Sequence, residues 1–348
     1  MRIKAKEIAQ EMGISPATVS LALNDRPGIS AGTKKRILDY IRDREAEQYR
    51  RQELETSSCG TILMISYIKN GIIMERSIRT NTAELVFPAM EEAVLRAGYA
   101  FKGIVYHEQL HRIEDFLQQC RAWDVRGIYL MAAEMKQGDI YPFLELDIPI
   151  VTGDNLFYDA GLDSYLIDNQ EGIARCVDYL VEKGHSHIVY LAENISIFNF
   201  HERREAFVLE MAKKQCGDAS NRIRYMGSSV EEVCAAMSRY LDEGLRDTTA
   251  FVLESSVVSL GVGKALLERH MRIPRDISLI GFDALPPVSL PGLNLTLIKG
   301  THTKRHLAGV DHLIRHIEGD DEEIMRVYYK TRLLEGDSVF DKAKYIYR

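Results

Sequence analysis

The chain has 348 residues, 46% hydrophobic and 27% charged, with a formal net charge of −7. At roughly 150 residues per domain this length predicts two or three units, each large enough for its own core. The composition excludes disordered and fibrous classes. No apolar run reaches the roughly 18 residues of a membrane span, and the first residues lack the apolar stretch of a secretory signal. Five cysteines, at 59, 120, 176, 216 and 234, are odd in number, widely spread and free of Cys-x-x-Cys pairs. Neither a disulfide framework nor a thiolate zinc site is expected, no cofactor is called for, and a reducing cytoplasm is the expected location.

Charge is uneven along the chain. Arg2, Lys4, Lys6, Arg26, Lys34, Lys35 and Arg36 against Glu7, Glu11 and Asp25 give residues 1–36 a charge of +4 and leave −11 for the rest. A basic head on an acidic body implies that only the head approaches a polyanion. Within it, Ile8 and Met12 have helical spacing, and Gly13 suits the left-handed turn that ends a helix. Ser15 offers an N-cap oxygen and Pro16 occupies the first helical position, where its missing N–H costs nothing. A helix over 16–23 should bury Val19 and Leu23 and expose Ala17, Thr18, Ser20 and Leu21. Ser30 can cap a third helix striped by Ile37, Tyr40 and Ile41. Two short helices across a glycine turn, braced by a third, form the helix-turn-helix that lays its second helix in a major groove. Thr18, Ser20, Asn24 and Lys34 can bond phosphates and fix the register. Periodicity alone leaves a protein-binding or dimerisation module as an equal alternative.

From Gly60 onward, short apolar runs alternate with helical stretches. Strands are predicted at 60–67, 99–106, 126–132, 148–152, 164–167, 187–191, 222–226, 250–253 and 278–281. Helices are predicted at 83–97, 112–123, 136–144, 170–183, 202–214, 230–243 and 259–269. This rhythm implies α/β architecture with parallel sheets covered on both faces. Two such sheets imply two lobes, with a ligand cleft at the carboxyl ends of the strands.

The residues also carry a resemblance. Ile3-Lys4-Ala5-Lys6-Glu7-Ile8-Ala9, Met12-Gly13-Ile14-Ser15, Ala17-Thr18-Val19-Ser20, Ala22-Leu23-Asn24 and Gly28-Ile29-Ser30-Ala31-Gly32-Thr33-Lys34 resemble the head of the lactose-repressor/galactose-repressor (LacI/GalR) family. Further on, Val125-Arg126-Gly127-Ile128, Asp168-Asn169-Gln170-Glu171-Gly172, Lys183-Gly184-His185 and Leu279-Ile280-Gly281-Phe282-Asp283 are similar to that family's periplasmic-binding-protein-like core. The resemblance implies a helix-turn-helix domain over 1–45, a hinge over 46–59 and an effector-binding, dimerising core over 60–341. Three crossings between lobes are implied, with lobe one over about 60–162 and 293–321 and lobe two over about 163–292 and 322–341. It further implies a homodimer on double-stranded operator DNA, repressing carbohydrate-use genes under control of a small effector, with no membrane partner and no catalysis. A solute-binding or sensing protein of the same core architecture is the alternative.

Residue by residue, the implied DNA-contacting set is Lys4, Ser15, Pro16, Ala17, Thr18, Ser20, Leu21, Asn24, Ser30, Lys34 and the minor-groove wedge Leu54. Leu21 stands where many members carry a base-reading arginine; leucine can meet a thymine methyl but makes no bidentate bond to guanine. The usual Tyr-x-Pro-Asn before the hinge is missing, with Glu45-Ala46-Glu47-Gln48-Tyr49 in its place. The implied effector set is Asp154, Arg203, Ser255, Asp283 and His302. An arginine fork with carboxylates at strand ends suits a neutral polyol, whose hydroxyls both donate and accept. Ala206, Ser256 and Ser229 replace the family's usual glycine, aspartate and aromatic ring, so an unusual effector is expected.

Two other patterns draw attention. His107-Glu108-Gln109-Leu110-His111 matches the zinc motif His-Glu-x-x-His, which needs a helix to bring both histidines to one face. It falls at a strand end and has no third ligand at a recognisable spacing, so a metalloenzyme is not favoured. His302, His306, His312 and His316 lie on one flank of a late helix striped by Leu307, Val310, Leu313, Ile314 and Ile317. That flank is expected to be a polar or interface surface rather than a metal site. Gly261-Val262-Gly263 lacks the third glycine of a dinucleotide fingerprint.

Overall fold

The computed structural model of the protein describes residues 8–9, 11–23, 28–30, 32–40, 59–71, 82–283, 285, 290, 292–319 and 323–346. The chain forms two units, residues 1–60 with 95–100 and residues 61–94 with 101–348.

In the first unit Ile8, Ala9 and Glu11 are helical, α1 spans Pro16–Leu23, and residues 32–40 form a further helix. Gly13 turns the chain with φ +66°, the left-handed region that favours glycine. Ile8, Ala9, Val19, Ala22 and Ile37 make the core, with Met12, Ile14, Ile29 and Tyr40 packed against it. Burial of Ala22 rather than a larger side chain brings the helices close. The side chain of Leu23, expected in this core, lies outside the described residues.

The second unit holds two six-stranded sheets built on one plan. The first contains β1 (Thr61–Ile68), β2 (Ala100–His107), β3 (Val125–Met131), β4 (Ile150–Gly153), β5 (Asp163–Ile167) and β11 (Arg326–Tyr329), in the order β2-β1-β3-β4-β5-β11. The second contains β6 (Ile188–Ala192), β7 (Ile223–Tyr225), β8 (Ala250–Leu253), β9 (Ser278–Phe282), β10 (Thr296–Lys299) and β12 (Arg332–Leu334), in the order β7-β6-β8-β9-β10-β12. Each is a doubly wound sheet whose order reverses beside its first strand. Every residue of β4, β5, β6, β8 and β9 is buried, as strands covered on both faces require. Among the described pairings the expected parallel architecture has an exception. β12 runs antiparallel to β10, pairing Leu297 with Leu334 and Lys299 with Arg332.

The lobe boundaries expected at 162/163, 292/293 and 321/322 need correction. Strand β5 pairs with β4 in the first sheet, not the second. β10 pairs with β9 in the second sheet, and β11 pairs with β5 in the first. The chain therefore crosses at Asp168, at Gly300–Thr301 and at Lys330–Thr331, after the carboxyl ends of these strands rather than before their beginnings. The last three strands are three or four residues each, too short to show a period in the sequence.

Helix α9 (His302–Glu318) closes the first sheet, packing on β3, β4 and β5. Its approach is close at Gly309, where an added Cβ would stand 2.6 Å from the ring of Tyr129. The histidine flank of this helix is not a polar surface. His306 and His312 are buried, and their Nδ1 atoms pair with the hydroxyls of Tyr129 at 2.8 Å and Tyr165 at 3.0 Å. Gly309 lets the helix sit low enough for these rings to face the sheet, which helical spacing alone does not reveal. The His-Glu-x-x-His pattern forms a strand end and a turn, as expected; Glu108 pairs with Lys69 at 2.8 Å.

Candidate functional site

In the 1–60 unit, the Ser15 hydroxyl accepts from the Thr18 amide at 3.1 Å and meets the Thr18 hydroxyl at 2.8 Å. Ser30 repeats the arrangement on Thr33, at 3.0 and 2.8 Å. Both act as N-caps, satisfying amides at helix starts. Ser15, Pro16, Ala17, Ser20 and Ser30 are exposed, with Thr18, Leu21 and Lys34 half-buried. Thr18 spends its hydroxyl on the cap, and the Leu21 methyl lies 3.3 Å from the Cβ position of Gly28. Leu21 is thus less exposed than its place on α1 implied. Lys4, Asn24 and Leu54 lie outside the described residues, as does the hinge apart from Cys59.

In the core, the repeated sheet plan places two aspartates at equivalent points. Asp154 follows β4 directly and Asp283 follows β9 directly, with φ of 66° and 71°. Each amide bonds to the neighbouring strand: Asp154 to the Tyr165 carbonyl at 3.3 Å, Asp283 to that of Ile298 at 2.8 Å. Left-handed backbone is tolerated by Asp and costs a further increment of strain. Holding two carboxylates so turned aims them off the strand ends.

Each aspartate faces an arginine of its own lobe. Arg305, fully buried, donates from Nη2 to Asp154 at 2.8 Å and from Nη1 to the Tyr165 carbonyl at 2.7 Å. Burial alone would raise the Asp154 carboxyl, but the charge and hydrogen bond of Arg305 outweigh it and hold it down at about 2. His306 is kept neutral, its pKa driven well down by burial and by Arg305. In lobe two, Arg203 from α6 (Phe198–Lys213) donates to Asn169 at 2.8 Å and to the Glu254 carbonyl at 2.7 Å. Its guanidinium lies 3.5 Å over the Phe282 ring. Only Nη2 is left to face Asp283, at 3.7 Å. His302 faces Asp283 from the other lobe at 3.5 Å. Burial works against ionisation of Asp283, yet Arg203 and His302 keep its pKa below the usual value. One Asp283 oxygen, Oδ1, is buried with no hydrogen-bond partner among the described residues.

The structure therefore brings Asp154, Arg203, Asp283 and His302 near one another at the strand ends of the two sheets. Ser255 is placed differently. Its hydroxyl caps α8 (Ser256–Glu268), accepting from the Val258 amide at 3.3 Å, and donates to buried Glu193. Several residues of the site were not picked out from the sequence: Arg305, His306, Asn169, Asn199, Glu202, Arg204 and Glu254. Asn169 donates to Asn199 and Glu202 at 2.9 Å each while accepting from Arg203. Beneath it, Arg204 grips buried Glu254 through two bonds of 2.7 and 2.8 Å. Asn169 sits inside the quoted Asp168–Gly172 motif and Arg204 beside Arg203, so adjacency was the available signal. Arg305 and His306 had none beyond helical spacing.

Comparison with known proteins agrees with this geometry. Residues 177–339 match the family model of a periplasmic binding protein-like domain. The chain is 25% identical to a Bacillus subtilis (strain 168) protein named probable HTH-type transcriptional repressor ExuR, over 97% of this chain and 98% of that one. Among solved structures it is similar to the transcriptional regulator CelR–cellobiose complex, with TM-score 0.69 and 17% identity over 97% of this chain and 100% of that one. It is also similar to a lac repressor dimer bound to operator and the anti-inducer ONPF, with TM-score 0.67 and 18% identity over 98% and 100%. At these identities the two structural likenesses speak for the fold. Among the described residues, no helix is long and apolar enough to cross a membrane.

Proposed function

We propose that the chain is a transcriptional regulator of the LacI/GalR kind, a cytoplasmic repressor of carbohydrate-utilisation genes, a reading supported by its likeness to a probable HTH-type transcriptional repressor along nearly its whole length and by its periplasmic binding protein-like domain. Residues 1–45 bind double-stranded operator DNA, residues 46–59 form the hinge, and a sugar or sugar derivative in the cleft of the 60–341 core sets the affinity. The observation that carries this reading is the meeting of Asp154, Arg203, Asp283 and His302, drawn from four separate stretches of sequence, at the strand ends of two sheets. The Asp283 carboxylate accepts a ligand hydroxyl at its unpartnered oxygen, Arg203 Nη2 and His302 donate, and the Phe282 and Phe200 rings keep Arg203 flat. Such a ring of donors and acceptors suits a polyol. It is not a paired acid–base set around an activated nucleophile, so the reading has no catalytic step.

Ser15 and Ser30 are assigned to the phosphate-facing ends of the head helices, where the first amides and the helix dipole favour an anion. One helix-turn-helix has a small footprint, so the protein acts as a homodimer on a pseudo-palindromic site. The test is retardation of a fragment from the gene's own promoter region, at low ionic strength, with and without a panel of sugars and sugar derivatives. Retention of such a fragment, altered by one compound and no longer altered in Asp283→Asn, is the expected result. A protein that binds a sugar but no DNA under any of these conditions is a solute sensor, and the proposal falls.

A further inference from the structure

We infer that Asp163, His312 and His316 form a binding site for a divalent d-block cation, Zn²⁺ in the first instance, in lobe one and away from the effector cleft. Asp163 opens β5, at the amino end of a strand whose carboxyl end faces the cleft. His312 and His316 stand one turn apart on α9, so both rings leave the same face of the helix. A ring nitrogen of each and a carboxylate oxygen of Asp163 all lie within 4.8 Å of one another. The separation from His316 Nδ1 to Asp163 Oδ2 is shorter, 3.5 Å.

Bonds of about 2.0–2.1 Å to a tetrahedral centre put ligand atoms about 3.3 Å apart. The three donors are within about 1.5 Å of that spacing, a distance that small side-chain rotations close. Two imidazoles and one carboxylate suit zinc, cobalt or nickel over the oxygen-seeking magnesium and calcium, and leave a fourth position for water. The surroundings hold the donors in place as outer-shell partners do in metal sites. The Tyr165 hydroxyl holds His312 Nδ1 at 3.0 Å, as an outer-shell partner does, so the ring's other nitrogen, Nε2, is the one that ligates the ion. The Met325 amide donates to Asp163 Oδ1 at 2.6 Å, leaving Oδ2 turned toward His316. The His312 and His316 rings pack edge to face with centroids 4.6 Å apart. The Nε2 atom of His316 is buried and finds no hydrogen-bond partner among the described residues.

A bound ion ties α9 to β5, so binding raises the melting temperature in a metal-dependent way. The experiment strips the full chain with a chelator, then titrates it with zinc chloride or cobalt chloride, followed by calorimetry, thermal melting and metal analysis. One equivalent per chain, a raised melting point and visible cobalt absorption of a four-coordinate site are expected. His316→Gln, at a half-buried position, and Asp163→Asn should each abolish the equivalent, with circular dichroism showing that the variants remain folded. Tyr165→Phe, removing a positioning hydroxyl, should weaken binding by about 10–100-fold. His111→Gln disrupts the His-Glu-x-x-His pattern and should leave binding unchanged. No saturable equivalent, an equivalent that survives both His316→Gln and Asp163→Asn, or one that vanishes in His111→Gln would overturn the assignment.

Discussion

Removing the negative partner of a buried arginine is the sharpest test of how the cleft is held. Arg305 is fully buried, and Asp154, with its side chain 16% exposed, lies 2.8 Å from it. The Asp154 carboxyl is brought from 3.8 to about 2, which at about 1.4 kcal/mol per tenfold is worth about 2.5 kcal/mol. The group's folded pKa is depressed, so this stabilisation is fully present above about pH 4 and is lost as pH falls through about 2. Asp154→Asn removes it and strands a buried cation, so the total cost at pH 7 should be about 3–5 kcal/mol. Arg305→Met refills the volume without charge, and in the double variant Asp154→Asn/Arg305→Met the stranded cation is gone. The two single losses should therefore exceed the double loss by about 2–3 kcal/mol. Urea denaturation followed by circular dichroism at several pH values measures all four proteins. The Asp154→Asn penalty should be flat from pH 8 to 5 and shrink below 4. Additivity within about 0.5 kcal/mol, or a penalty that grows on acidification, would refute the reasoning.

Three further outcomes follow from the same structure. Lys34→Ala should weaken binding to every DNA sequence alike and reduce the slope of log affinity against log salt by about one; retardation across a salt series reads it, and an unchanged slope removes the phosphate contact. Ser15→Ala deletes the cap of α1 and should destabilise the 1–60 unit by about 1 kcal/mol, visible as faster amide exchange in residues 16–23. Gly153→Ala sets a Cβ at 2.7 Å from the Tyr129 hydroxyl and 3.3 Å from the His306 ring. Thermal melting should show it destabilised by about 1–3 kcal/mol, with a weakened effector response; wild-type behaviour in both would mean that the Tyr129–His306–Asp154 chain has no role.

What the sequence made legible divides along physical lines. The helix-turn-helix was readable because its signals are local: Gly13 turns, Ser15 and Ser30 cap, and each acts within four residues. Most strands were readable because central strands covered on both faces are continuous apolar runs. The crossings were placed too early because the strand at 164–167 was assigned to the second lobe; its polar opening residues Asp163 and Ser164 are buried, bonded within the first sheet and to the Met325 amide. Arg203 and Asp283 could be carried from a motif, while Arg305 could not, since a charged residue beside His306 on a helix reads as solvent-facing. Only the close packing of α9 at Gly309, a tertiary event, buries that residue completely.

The repeated plan also explains how a neutral ligand can move a structure of this kind. Each lobe neutralises its own aspartate with its own arginine, Asp154 with Arg305 and Asp283 with Arg203, so neither lobe needs the other for charge balance. Between the lobes the polar contacts are long: Asn199 to the Asp154 carbonyl at 3.5 Å and His302 to Asp283 at 3.5 Å. Long contacts of this kind are weak, so on the proposed reading the two arrangements of the lobes differ little in energy without ligand. Turning a 1:99 balance to 99:1 takes about 5.5 kcal/mol of differential affinity. Two to four hydrogen bonds to charged groups, at about 1.5–3 kcal/mol each, supply that if they form in one arrangement only. On the proposed reading, a ligand with one hydroxyl on Asp283 of lobe two and another on His302 of lobe one satisfies the condition, because such a ligand spans both lobes. A ligand held by Arg203 and Asp283 alone would bind as tightly to either arrangement and switch nothing. His302→Gln should therefore weaken ligand binding by about 10–100-fold and shrink the ligand-induced change in DNA affinity with it, while DNA binding without ligand stays unchanged; an undiminished ligand response would place the switch elsewhere.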